Sequence, residues 1–221
     1  PGVYARISSQ YSWIRSYVCL WAPDYCEGNK IPQNQNDLPT DELKTSFDGV
    51  NGSSGNMFDI MASVSISIVA LEIHVISTIT ETVEVYTKAG SHQGEEQNYS
   101  AWTKMGEAKV IGRGEGTPTP VPSGSFDAIT MKKGETNALY ITIRTDHFIY
   151  SDGTKVGNVL ASNSDLLIYE GIGNVYAFGS IFTPRTWNGS LTYQILTDEA
   201  KTYYETVDKV EMALVGVNML S

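Results

Sequence analysis

Cysteine is scarce: two residues, Cys19 and Cys26, stand seven apart near the start of a 221-residue chain. A metal site built on them would need Cys or His partners close by, and the three histidines, His74, His92 and His147, are distant and scattered. The pair therefore reads as a local disulfide, or as thiols pairing with a partner elsewhere, with two unrelated buried thiols as the alternative. Charge is scarce as well, at 18% of residues, and basic charge most of all: Lys and Arg number 15 against 25 Asp and Glu, a net charge of −10. A nucleic-acid binder needs Lys and Arg to neutralise phosphates, so that class is excluded. No apolar run approaches the roughly 18 residues that cross a bilayer, and no signal peptide is visible.

Tyrosine (13) and glycine (20) are plentiful, and hydrophobic residues make up 41%, enough to bury a core. Together with frequent Val, Ile and Thr, this composition favours a β-rich chain with many turns. Residues 8–20, SSQYSWIRSYVCL, break the trend: Tyr11, Ile14 and Val18 recur at helical spacing behind a serine cap. Residues 21–46, with three prolines and a run of Asn, Gln and Asp, read as a linker. From Phe47 onward short β segments alternate with turns. SISIVALEIHVIS (65–77) changes its apolar phase near Val69–Ala70, which predicts a bulge or a break. Val83 and Val85 share one strand face, and Leu139, Ile141 and Ile143 share another. Such short strands between turn signals predict a mainly β fold, an antiparallel, jelly-roll-like β-sandwich over residues 47–196. Residues 197–221 change texture again, helical to about 214 and then strongly apolar, and read as the start of a truncated further domain.

Pro1-Gly2-Val3-Tyr4-Ala5-Arg6-Ile7-Ser8, followed by Tyr11-Ser12-Trp13-Ile14, resembles the C-terminal signature of trypsin-like serine peptidases of the chymotrypsin fold. In that family PGVY enters the last barrel strand and YxxWI lies in the terminal helix. The resemblance covers residues 1–19, so residues 1–20 read as the tail of a peptidase domain, an orphaned strand and helix. It implies that Gly2, Val3 and Tyr4 form one wall of the substrate pocket. It also implies that the catalytic His, Asp and Ser lie before Pro1, since none of their motifs occurs in the 221 residues. A helix made to cover an absent barrel would leave Tyr11, Trp13, Ile14 and Val18 exposed.

A fainter resemblance runs through GNMFDI, VEVYTKAGS, AWTKMGEA, GRGEGTPTPVP, ALYIT, SNSDLLIYEGIG and FTPRTWNGSLTY. These stretches are similar to a β-rich accessory domain of secreted microbial and algal proteins. Its recurring positions are Phe58, Tyr86, Trp102, Tyr140, Arg185, Trp187 and Gly189, readable as core or as site. Arg185 and Trp187, beside an Asn-Gly turn expected to be exposed, could stack on a sugar, with a structural use favoured. Three sequons, at Asn51, Asn98 and Asn188, are glycosylation candidates. Asp146, Asp152 and Asp165 beside Asn163 lack any recognisable calcium-loop spacing, and no metal or cofactor is expected.

No residue of the chain makes a catalytic site by this reading. His74 reads as a solvent-facing strand residue, His92 as a turn residue, and His147 as a strand-end residue next to Asp146. The expected function is that of the C-terminal part of a secreted, extracellular trypsin-like endopeptidase. Its sandwich tethers it to a surface or polysaccharide, while protein substrates go to the protease. The alternative is a non-catalytic secreted adhesion protein on a degenerate protease-like scaffold.

Overall fold

A computed structural model describes residues 40–196. The expectations for Gly2, Val3, Tyr4, the helix after them, Cys19, Cys26 and residues 197–221 lie outside that range.

The described residues form an antiparallel β-sandwich of fifteen strands with one 3₁₀ turn, Tyr99–Ala101. In chain order the strands are β1 (Thr40–Lys44), β2 (Asn51–Ser53), β3 (Gly55–Ala62), β4 (Ile66–Ile73), β5 (Thr80–Ala89), β6 (Thr103–Ile111), β7 (Thr119–Val121) and β8 (Ile129–Met131). They continue with β9 (Thr136–Ile143), β10 (Phe148–Asp152), β11 (Val159–Ser162), β12 (Leu166–Tyr169), β13 (Gly171–Asn174), β14 (Ile181–Trp187) and β15 (Gly189–Ile195). The smaller sheet runs β1-β15-β4-β7, with β8 also on β4. The larger runs β2-β10-β14-β13-β3-β9-β5-β6, with β12 on β3 and β11 on β12.

Alternation along the strands builds the core between the sheets. Leu139, Ile141 and Ile143 of β9, Val83 and Val85 of β5, and Phe58 and Ile60 of β3 face Ile66, Ile68, Leu71 and Ile73 of β4 and Leu191 and Tyr193 of β15. Burying each large aliphatic side chain contributes about 1.5–3 kcal/mol. The phase slip in β4 is a bulge: Ala70 pairs with Thr192 and Ile68 with Tyr193, leaving Val69 as the extra residue.

Two differences from the sequence reading follow from sheet edges and sheet faces. The stretch TDELK, inside the expected linker, is the edge strand β1, paired along its length with β15, and both Leu43 and Phe47 are buried. Its charged residues are those of a protected edge, so it reads as solvated chain. The larger sheet is also buried on its outer face. Met57, Tyr86, Trp102, Ala138, Tyr140, Ile172 and Phe178 form a second apolar cluster there, so β9 is covered on both sides.

Candidate functional site

Three parts of the sandwich bring together residues able to do chemistry or to bind. The first surrounds Glu81, at the start of β5. Its carboxylate accepts hydrogen bonds from Ser77 Oγ at 2.6 Å and Thr145 Oγ1 at 2.9 Å, and His147 Nδ1 lies 2.7 Å away. Burial raises the carboxyl pKa, but the bonds from Ser77, His147 and Thr145 outweigh it and hold the group below its ordinary value. Serine, histidine and a carboxylate are the residue types of a hydrolytic triad, yet the connections differ. A triad passes the serine proton to the histidine, whereas here serine and histidine both donate to the acid. The other ring nitrogen, His147 Nε2, lies 4.0 Å from Asp146 Oδ1. The arrangement ties the 74–79 loop, β5 and the β9–β10 turn together.

The second part is the outer face of the larger sheet. Glu84 is buried, and its carboxylate accepts from Tyr86 Oη at 2.8 Å and Arg144 Nη2 at 3.0 Å, with Lys104 Nζ at 3.4 Å and Tyr176 Oη at 3.3 Å. Burial raises its pKa, and these donors more than reverse that. Burial, then the Glu84 charge, pushes the Tyr86 hydroxyl well up. Beside this network Tyr86 stacks on Tyr140 at 5.5 Å, and Phe178 meets both edge-on. Phe178 has a positive φ of 59°, a strained backbone for an aromatic residue. The rings of Tyr86, Tyr99, Trp102 and Tyr140 hold it in place. The loop over this face is fastened by Asp59, whose Oδ1 accepts the backbone N–H of His92 at 2.9 Å and lies 2.7 Å from His92 Nδ1.

The third part is a cleft of about 450 Å³ across the outer face of the smaller sheet. Thr192 and Ala70, cross-strand partners, lie on its floor; Glu42, Glu72, Pro120 and Pro122 are among the other residues that line it. No signal in the sequence marks it, because its lining is drawn from β1, β4, β7 and β15, which are far apart in the chain.

The structure corrects several expectations. His74 is fully buried, not solvent-facing: β4 ends at Ile73, and the next residue turns under Phe47. Its Nε2 accepts the Gly116 N–H at 2.8 Å. That bond requires a neutral ring, in keeping with a pKa lowered by burial. His92 is in a turn but is buried. Trp187 is fully buried and stacked on Phe58 at 4.6 Å, so it offers no face to a sugar. Asn188-Gly189 is not an exposed turn but the corner where the chain passes from one sheet to the other. Asn188 is 1% exposed and its Nδ2 donates to Ser151 Oγ. Asn51 is half-buried in β2, and Asn98 is exposed. The three aspartates stand apart: Asp146 is exposed, Asp152 pairs with Arg185 at 3.2 Å, and Asp165 accepts from Tyr193 Oη at 3.0 Å. Among the described residues no group of three or more His, Cys, Asp or Glu could hold a metal ion.

No protein-family model matches the chain, and no curated protein matches it. Among solved structures it is similar to the clostridial cysteine protease Cwp84 after propeptide cleavage, at 14% identity and a TM-score of 0.42. That alignment covers 71% of this chain and 40% of that one.

Proposed function

We propose that the chain is part of a secreted trypsin-like serine endopeptidase in which residues 40–196 are a binding module without catalytic activity. The resemblance at residues 1–19 supports the protease assignment. There, acyl transfer would run through a Ser-His-Asp triad and a backbone oxyanion hole in the remainder of the peptidase domain. The observation that carries the module's role is the wiring at Glu81: the sandwich has serine, histidine and acid in contact, with both donors directed at the acid. His74 and His92 are likewise committed to a backbone N–H and to Asp59.

The cleft over Ala70 and Thr192 is the place offered for binding. Glu42 and Glu72 line it, and the chain carries a net charge of −10. A neutral or amino-bearing surface polysaccharide suits it, and a polyanion does not. The test pairs a fluorophosphonate label with co-sedimentation of the chain on insoluble neutral, amino and acidic polysaccharides. The expected result is no labelled serine in 40–196, with retention on a neutral or amino polymer that Ala70→Arg abolishes. A labelled serine within the sandwich, or retention that Ala70→Arg leaves unchanged, overturns the reading.

A further inference from the structure

Of the three sequons, the sandwich makes only one into a usable acceptor, and we infer that Asn98 is the N-glycosylated residue of this domain, to the exclusion of Asn51 and Asn188. The inference rests on the secreted reading above. Two independent features separate Asn98 from the others: exposure, and the position of the hydroxyl that the sequon requires.

At Asn98 the Ser100 Oγ–H donates to Asn98 Oδ1 at 2.7 Å, so the sequon's hydroxyl sits on the amide that it serves. The amide Nδ2 donates to Glu95 Oε2 at 2.7 Å, an exposed contact that water can replace. All of these partners lie within three residues, and such local side-chain turns form without the rest of the fold. The geometry is therefore open to a chain still being made. Asn98 opens the 3₁₀ turn Tyr99–Ala101, in the loop above the aromatic cluster, and Tyr99 beside it is 61% exposed.

At the other two sequons the fold engages the hydroxyl elsewhere. At Asn188 the amide donates to Ser151, while its hydroxyl partner Ser190, fully buried, donates to Glu72 Oε2 at 3.1 Å. A sugar added there before folding would have to enter the corner between the sheets, so a chain carrying one is kept out of the folded, secreted pool. At Asn51 the partner Ser53 is buried on the strand that pairs with β10, and its hydroxyl is engaged by Tyr150.

In the reaction Asn98 Nδ2 forms a bond to the anomeric carbon of a lipid-pyrophosphate-linked oligosaccharide. The anomeric C–O bond breaks, the lipid pyrophosphate leaves with the electron pair, and one amide proton passes to a base of the transferase.

The test expresses the full chain behind a secretory leader in a eukaryotic host and releases glycans enzymatically in heavy-oxygen water before peptide mapping. The expected result is heavy-oxygen aspartate at position 98 in nearly all secreted chains, none at 51 or 188, and a single mobility step that Asn98→Gln removes. Secreted chain bare at Asn98, or carrying a glycan at Asn51 or Asn188, overturns the inference. Protein from the native source separates the two readings. If it is bare where the host-made chain is glycosylated at Asn98, the secretion reading fails while the acceptor assignment stands.

Discussion

Trp187 shows how a residue with two readings is decided by its surroundings. Its indole lies flat on Phe58, and Gly189 is kept side-chain-free because a Cβ there would meet the Trp187 ring and the Glu72 carbonyl. Trp187→Ala should cost about 3–5 kcal/mol, read as a lowered urea midpoint with an unchanged slope. Tyr99→Ala, which removes the rim ring packed edge-on against Phe178, should cost only about 0.5–1.5 kcal/mol. Equal effects from the two would sink the assignment of Trp187 to the core. The inward set Leu139, Ile141 and Ile143 was legible because strict alternation has one meaning in a strand. His74 was not, since its phase is that of a strand that ends one residue earlier. Tyr86, Tyr140 and Trp102 were ambiguous for a different reason: aromatic residues suit a core and a binding face equally, and only the covering loop decides between them.

At the scale of the element, the number of covered faces and edges sets the order of stability. Strand β9 is paired on both edges, by β3 and β5, and buried on both faces. Strand β1 has one partner among the described strands and four exposed residues of its five. Amide exchange should therefore be slowest in β9 and β3 and fastest in β1 and β2. Protection of β1 equal to that of β9 would refute this ordering. The bulge in β4 was readable because inserting one residue into a strand shifts every later side chain to the other face. Strand β1 was not readable, because an edge guarded by Asp, Glu and Lys has the composition of a loop. The cleft was invisible for the same kind of reason: its floor comes from pairings between strands more than a hundred residues apart, which local pattern does not encode.

Across the whole molecule, buried carboxylates set the response to pH. Asp59, Glu81, Glu84 and Glu170 are all held below their ordinary values of 3.8 and 4.5, since their donors overcome the opposing effect of burial. A depressed pKa in the folded state means that the unfolded chain binds more protons in acid. The carboxylates' contribution is complete above about pH 5 and falls as pH drops through the depressed values. His74, kept neutral by burial, adds a loss that begins as pH falls below its ordinary 6.5. Tyr193 works in the opposite sense. Burial, then Asp165, pushes its hydroxyl up from 10.0 to about 12, so stability is also lost as pH rises through that interval. Urea unfolding from about pH 3 to 11 should trace a plateau with two falling shoulders, the alkaline one reduced in Tyr193→Phe. A curve that rises below about pH 4 would contradict the assignment. The pairing of β1 with β15 has a mechanical consequence. Thr40 lies opposite Gln194, so the strand entering the sandwich and the strand leaving it are antiparallel neighbours whose outer ends coincide. Tension applied through those ends would unzip the pair one hydrogen bond at a time instead of shearing the whole ladder. Optical-tweezer extension should show a low-force release of β1 ahead of the main rupture, making the domain a soft shock absorber in any tether that it joins.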